Sequence, residues 1–551
     1  MMQDDDNGAR ASQREPERDP SRPTRGGSGR VSHGGAARDR DPAKRSAQAP
    51  SQRSRRADAA RHIAFETLRA VDGGAYANLE LPRRLRRTEL DRRDAAFATE
   101  LVYGVCRMRG LYDPLISRCA GRETAAIDAP VLDVLRLGAH QLLGMRVPAH
   151  AAVAETVALA RDAVGAGAAG FVNAVLRRIS EKSLSEWLSI LAPGAGRRAG
   201  SHGDSEVAFE APTDLADVAV ARSHPAWVVR ALRAALLAHE ASTPQSVDAD
   251  LLDLLHAHNT PADVALVARP GLAEISELEE AGASRSSICP TAAVLTHGGD
   301  PGRIPAVRQG RAAAQDEGSQ LLVLALLDAY DKAGPGTQRP RWLDLCAGPG
   351  GKVALLAAAA IESDATVFAN EVAEHRAELV HSAVRAAVDA GADVLVGVGD
   401  GRQIGEEEPS SFDLVLLDAP CTGLGALRRR PEARWRREPS DVAELSILQR
   451  ELLTSAIEAT APGGIIGYAT CTPHPAETQV VVGDVVAERG DVEFLDARDH
   501  LNAVALSPLE HLGPGPFAQM WPHLHGTDAM FLALLRRRES AAETEAGTRK
   551  G

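Results

Sequence analysis

Apolar positions change their spacing along the chain, and each change marks a different kind of element. From about residue 57 to about residue 185 they recur at helical intervals: Ala64, Leu68 and Val71 fall on one face, as do Val131, Val134, Leu135, Gly138 and Leu142. Spacings of three and four place such side chains in one stripe that must be buried against a neighbour. Polar turns divide the segment into about five to seven helices of ordinary length, which predicts an all-α unit over 57–190.

Residues 191–212, with Pro193-Gly-Ala-Gly-Arg-Arg near their start, are rich in Gly, Ala and Ser and read as a linker. Helical spacing resumes at Ser223-His-Pro-Ala-Trp227. Val264-Ala-Leu-Val-Ala-Arg269 and Ala292-Ala-Val-Leu-Thr296 are strand-like with a helix between them, so 213–311 reads as a small α+β unit. From 312 to 538 short apolar runs alternate with helical patterns. The runs are Trp342 to Leu345, Thr366 to Ala369, Val394 to Val398, Leu414 to Leu417, Ile465 to Ala469, Val492 to Leu495 and Met530 to Leu535. This alternation predicts a mostly parallel sheet with helices on both faces, whose ligands lie beyond the carboxyl ends of the strands.

Composition changes this picture at the ends of the chain. Residues 1–56 are Arg, Ser, Pro, Gly and Asp with almost no bulky apolar side chain, and they read as a disordered tail, as do 539–551. The formal net charge of −13 argues against a nucleic-acid partner until its distribution is considered. Arg83, Arg84, Arg86 and Arg87 form one basic cluster, and Arg428, Arg429, Arg430, Arg434, Arg436 and Arg437 another. An RNA groove needs a local positive field rather than a basic whole.

The six cysteines show no CxxC spacing, so no zinc site is expected. The absence of a signal peptide or a long apolar run predicts a cytoplasmic protein without a membrane span. In a reducing compartment its thiols stay free, as buried hydrophobes or as nucleophiles.

One loop carries candidate chemistry: Asp344-Leu-Cys-Ala-Gly-Pro-Gly-Gly-Lys352, between a strand and a helix. Its glycines let a ligand approach the backbone, and the helix start offers free N–H groups. The dinucleotide fingerprint fails because Val353 stands where the third glycine is needed. The phosphate-loop pattern fails at Cys346 and Val353. Polar or thiol groups also follow the other strands: Glu371, Asp400, Asp418-Ala-Pro-Cys421 and Thr470-Cys471-Thr472. A carboxylate after the second strand is placed to accept the hydroxyl hydrogens of a ribose.

This series, with Tyr468-Ala-Thr-Cys471, resembles the RNA (cytosine-5) methyltransferases that use S-adenosylmethionine. Arg61, Arg92-Arg-Asp94, Glu100 to Arg107 and Phe171 to Arg177 resemble a NusB-like RNA-binding domain, and the combination resembles the RsmB/Sun subfamily, which modifies 16S ribosomal RNA. The resemblance extends to Gln315-Asp316, Arg429 to Trp435 and Pro522 to Asp528. Glu371 stands where Asp is common, Gly348 where Ala is frequent, and Thr472 where Ser is frequent.

The resemblance implies a multidomain chain. A NusB-like helical domain is followed by a small α+β subdomain and then by an α/β Rossmann-like domain with a seven-stranded sheet and an antiparallel last hairpin. It implies S-adenosylmethionine held by Cys346, Ala347, Gly348, Pro349, Gly350, Gly351, Lys352, Glu371, Asp400 and Asp418. Cys471 would be the nucleophile on cytosine C6, Cys421 would assist release, and Asp418 would face the cytosine edge. The competing assignment makes Cys421 the nucleophile.

The expected partner is small-subunit ribosomal RNA before full assembly, bound by a monomer without a metal. Arg428, Arg429, Arg430 and Arg434 are the candidates for phosphate contact, against a plain solvated loop. Transfer RNA or 23S RNA as substrate, and a non-catalytic NusB-like RNA-binding or transcription factor, are the alternatives.

Overall fold

The computed structural model describes residues 58–88, 90–198, 209–296, 299–334 and 338–539. The tail expected at 1–56, nearly all of that at 539–551 and part of the linker lie outside them. Helices α1 (Ala59–Asp72), α2 (Ala77–Arg87), α3 (Arg92–Ala120), α4 (Ala129–Leu143), α5 (Ala149–Leu159), α6 (Ala166–Ile179) and α7 (Leu184–Leu191) make the amino-terminal unit. Helix α3 is its axis. The Asp91 carboxylate caps its start by accepting from the Asp94 N–H, and Gly121 ends it in a left-handed conformation. Leu101, Val105 and Leu115 of α3 meet Val134 and Leu135 of α4 in one core with Leu68 and Leu176.

The segment expected as one α+β unit is divided. Three helices, Leu215–Ala221, Ala226–Ala238 and Val247–Asn259, share a core with Leu424, Leu427 and Trp521 of the later chain. Strands Ser284–Arg285, Ala292–Leu295, Val264–Ala268 and Ala312–Ala314 form a separate four-stranded antiparallel sheet, in that spatial order. Its apolar face packs on Ile275 and Leu278 of the intervening helix.

The carboxyl-terminal sheet contains β1 (Arg341–Asp344), β2 (Thr366–Glu371), β3 (Asp393–Val398), β4 (Phe412–Asp418), β5 (Thr460–Thr470), β6 (Val492–Leu495), β7 (Ala518–Gln519) and β8 (Phe531–Arg537). The spatial order is β6-β8-β5-β4-β1-β2-β3, with the two-residue β7 also paired to β8. Strands β5, β4, β1, β2 and β3 are parallel, and β8 runs antiparallel to β5 and β6. Alternate side chains enter opposite cores: Trp342, Leu414, Leu416 and Ile465 on one face, Leu343, Val415, Leu417 and Ile466 on the other. Helices thus cover both faces, and the strand order reverses beside β1.

The arginine-rich stretch after Cys421 is a joint rather than a free loop. Trp435 donates its indole N–H to the Cys106 carbonyl at 3.1 Å and lies over Gly110, where a Cβ would come within 2.3 Å of the ring. The Glu432 carboxylate accepts from the Ala77 N–H at the start of α2 (3.2 Å), and Arg436 donates to the Val71 and Gly74 carbonyls at the end of α1 (3.0 and 3.2 Å).

Burial corrects one expected RNA contact, Arg434, and two others, Arg428 and Arg429, are engaged with acidic side chains. Arg434 is fully buried and donates to the Ser223, His258 and Leu427 carbonyls and to Asn259 Oδ1. Arg428 and Arg429 both pair with Asp316 and Asp528. Their guanidinium groups are spent on protein acceptors, because each acceptor would otherwise be buried without a partner.

Replacing Arg434 by Ala leaves these acceptors unpaired around a cavity. The expected cost is about 3–5 kcal/mol, as for other broken buried charged networks. Denaturant unfolding should show the lower stability, while RNA affinity per folded molecule stays unchanged. A loss of RNA affinity without loss of stability would return Arg434 to the RNA surface.

Candidate active site

The carboxyl ends of β1, β4 and β5 open into one cavity of about 640 Å³, lined by Asp344, Lys352, Asp418, Cys421 and Cys471 among others. Parallel pairing of Leu417 with Tyr468 and of Asp418 with Ala469 brings the two cysteine corners side by side. Their sulfur atoms are 3.4 Å apart. The two thiols share a hydrogen bond, and this sets their acidities in opposite directions. Cys471 is held below the usual thiol range, first by that hydrogen bond, with Lys352 and Arg430 assisting, against the effects of burial and Asp418. Cys421 is pushed well above it by the same bond and by burial. Of the two, Cys471 is therefore the thiol that ionises more readily and Cys421 the one that holds its proton more tightly.

A buried glutamate fixes both corners. Glu477 is fully buried and accepts from the Thr422 N–H (2.8 Å) and from the hydroxyls of Thr422 (2.5 Å) and Thr472 (3.2 Å). Each threonine directly follows one of the cysteines, so a single carboxylate sets the distance between the sulfurs. Gly425 adds a second clamp. Its N–H donates to the Cys471 carbonyl (2.9 Å), and a Cβ there would come within 2.1 Å of the Ala529 carbonyl oxygen.

On the other wall, Lys352 donates to Asp418 Oδ2 at 2.6 Å. Burial disfavours charge on this lysine, but Asp418 more than offsets it and its pKa lies above the ordinary value. Gly350, at φ +109°, turns β1 into the following helix, and a Cβ would lie 2.5 Å from that of Ala383. Asp344 lines the cavity, is 1% exposed, and neither of its carboxylate oxygens is hydrogen-bonded by a side chain. Burial and the Asp418 charge push its pKa up to about 8.

Two family models match the chain: 16S rRNA methyltransferase RsmB/F over residues 335–536 and the NusB family over 58–181. A Mycobacterium tuberculosis (strain H37Rv) protein named as a methyltransferase is 47% identical over 486 residues, covering 88% of this chain and 98% of the relative. The ribosomal RNA small subunit methyltransferase B of Pseudomonas putida is 30% identical over 446 residues, covering 79% and 91%. The chain belongs to the RsmB/F methyltransferase family. RsmB/F proteins are S-adenosylmethionine-dependent rRNA methyltransferases, and this chain has their NusB-type helical domain ahead of the methyltransferase sheet. The solved structure of PH0851 shares the fold, with a TM-score of 0.68 at 21% identity over 87% of this chain and 98% of that one.

Within this RsmB/F member, Cys346, Ala347, Gly348, Pro349, Gly351, Lys352, Asp418, Cys421 and Cys471 all line the cavity, and Arg430 stands at its rim. Glu371 lies one layer behind, where its carboxylate accepts from the Gly348 N–H and pairs with Arg376 (3.1 Å each). Asp400 is not brought in. It lines an adjoining open groove, where Arg402 holds it in an ion pair. Asp344 enters the sequence reading only as the first residue of the loop, and Glu477 does not enter it; their signal is burial, which no local pattern carries.

Among the described residues no group of His, Cys, Asp and Glu is placed to hold a metal, and no helix is long and apolar enough to cross a membrane.

Iodoacetamide near neutral pH should label Cys471 ahead of Cys421, as peptide mapping would show. Cys421→Ala removes the stabilising hydrogen bond, so the Cys471 pKa rises and its labelling slows several-fold. Preferential labelling of Cys421 would reverse the assignment of the proton.

Proposed function

We propose that the protein methylates C5 of a cytosine in 16S ribosomal RNA through a covalent bond between Cys471 and C6. The observation that carries this reading is the 3.4 Å pair of sulfurs with opposed acidities at the mouth of the methyltransferase loop. The names of relatives at 27–30% identity, ribosomal RNA small subunit methyltransferase B, support the substrate.

C5 of cytosine is a weak nucleophile within an aromatic ring. Addition of the Cys471 thiolate to C6 breaks the aromaticity and places an electron pair on C5. S-adenosylmethionine, when bound, supplies a methyl group activated by its sulfonium charge. Asp418, fixed by Lys352, has its second oxygen free to accept from the cytosine amino edge.

Once Cys471 is bonded to carbon, its negative charge is gone. Cys421 then loses the hydrogen bond to Cys471 and the negative charge beside it, two of the causes that raise its pKa, while burial, Glu477 and Asp418 remain. It gives its proton to solvent, takes the C5 proton, and the C–S bond breaks to regenerate the Cys471 thiolate and the C5–C6 double bond. The fit to S-adenosylmethionine rests on Asp344, a buried carboxylate with no side-chain hydrogen bond that lines the cofactor side of the cavity. The ligand has a cationic amino group to offer it.

On RNA containing 5-fluorocytosine, Cys471→Ala should form no covalent adduct, while Cys421→Ala should accumulate one on ordinary RNA. An adduct formed by Cys471→Ala would overturn the assignment, and bisulfite sequencing of 16S RNA from a deletion strain reads the target. Asp344 supplies a pH test. With its pKa raised to about 8, it is mostly protonated at pH 7 and must lose a proton to meet a cation. Affinity for S-adenosylmethionine, measured by calorimetry, should therefore rise with pH toward about 8 and fall beyond it, where the ligand's own α-ammonium loses its proton. Asp344→Asn should weaken binding and flatten the profile; a flat profile in the unaltered protein would remove Asp344 from the cofactor site.

A further inference from the structure

We infer that Tyr76, from the helical domain, is a stacking platform for a nucleobase of the RNA segment that carries the target cytosine. The inference rests on the RNA reading above and adds a subsite to it. Tyr76 lies in the turn between α1 and α2, yet it lines the same cavity as Cys471, Asp418 and Lys352. It is 43% exposed, in a chain whose aromatic residues are scarce and mostly buried.

Two guanidinium groups flank the ring: Arg436 at 5.0 Å and Arg430 at 5.6 Å from its centroid. Arg436 is anchored to the Val71, Gly74 and Ala75 carbonyls, so the ring is held where α1 ends and cannot drift from the joint. Arg430 is exposed and, among the described residues, has no carboxylate within ion-pairing distance. Arg437, also at the rim, donates to the Cys421 carbonyl.

A half-exposed ring with two guanidinium groups over it suits a ligand that is flat, π-rich and anionic along its backbone. A single-stranded nucleotide has those properties: its base stacks on the ring and its phosphate meets Arg430. A cytosine delivered to Cys471 must leave its own stack, and a neighbouring base on Tyr76 would keep the strand open. A protein partner fits less well, since the ring lines the cavity that holds Cys471 and has two guanidinium groups over it.

The test uses the full chain, 16S RNA from cells lacking the enzyme, and labelled S-adenosylmethionine. Tyr76→Ala should raise KM for RNA about ten-fold with kcat changed less than about two-fold, the size expected for one lost base stack. Affinity for S-adenosylmethionine and thermal stability should stay unchanged, and Tyr76→Phe and Tyr76→Trp should behave like the unaltered protein. An unchanged KM in Tyr76→Ala would overturn the platform. So would an equal loss in Tyr76→Phe, or a fall in kcat and cofactor affinity at constant KM, which would mark a purely structural residue. If the unaltered protein methylates no cytosine, the proposed function fails instead, and filter binding of a short single-stranded RNA to the same variants still decides the platform.

Discussion

Two sulfur atoms 3.4 Å apart in a buried cavity cannot both carry a negative charge at neutral pH. At least one of them keeps its proton, and which one ionises first depends on what surrounds each thiol. Lys352 and Arg430 favour charge on Cys471, while Glu477 and Asp418 oppose it on Cys421. The rest of the site serves this contact. Parallel pairing of β4 with β5 sets the two corners in register, Glu477 ties the residue after each cysteine to one carboxylate, and Gly425 holds the Cys471 carbonyl from above. On the proposed chemistry the same contact explains a division of labour: bonding of one thiol to carbon releases the other from its protonated state.

The joint between the domains follows from a different constraint. The stretch from Arg428 to Arg437 leaves the active-site corner with only a short 3-10 helix at Pro431–Trp435, and its backbone and arginines need partners. It finds them in the ends of α1 and α2, in Asp316 and Asp528, and in the helices around Ser223 and His258. The helical domain is therefore fixed against the corner that carries Cys421, and Tyr76 reaches the cavity. A NusB-type domain placed this way contributes to the site directly.

Much of this was legible in the sequence because parallel sheets put function at strand ends. Once the apolar runs were read as strands, Asp344 to Lys352, Asp418, Cys421 and Cys471 had to lie along one edge, and they do. What failed were readings that depend on distant partners. Arg434 sits among arginines and reads as phosphate-binding, but its acceptors Ser223 and Asn259 lie 211 and 175 residues away in sequence. Arg428 and Arg429 meet Asp528 at separations of 100 and 99 residues. Asp400 follows a strand like the others, and it pairs with Arg402 two residues later in a neighbouring groove. Likewise the helices between 215 and 259 have ordinary amphipathic patterns, and nothing local says that their partner is Trp521 rather than the nearby small sheet.

Charge balance in the cavity connects the cofactor to turnover. Asp344 and Asp418 share one buried cation, Lys352, so two ionised carboxylates would leave an excess negative charge away from water. The free protein relieves this by keeping Asp344 protonated up to about pH 8. S-adenosylmethionine carries a sulfonium, an ammonium and a carboxylate, a net positive charge that an ionised Asp344 would balance. Methyl transfer removes the sulfonium charge, and the product is neutral overall. On the proposed reading, Asp344 would then regain its proton and its pairing with the product's ammonium would weaken. The same buried acid would thus favour the methyl donor over the spent product, because the two differ by the sulfonium charge, which leaves the site as the proton taken from C5.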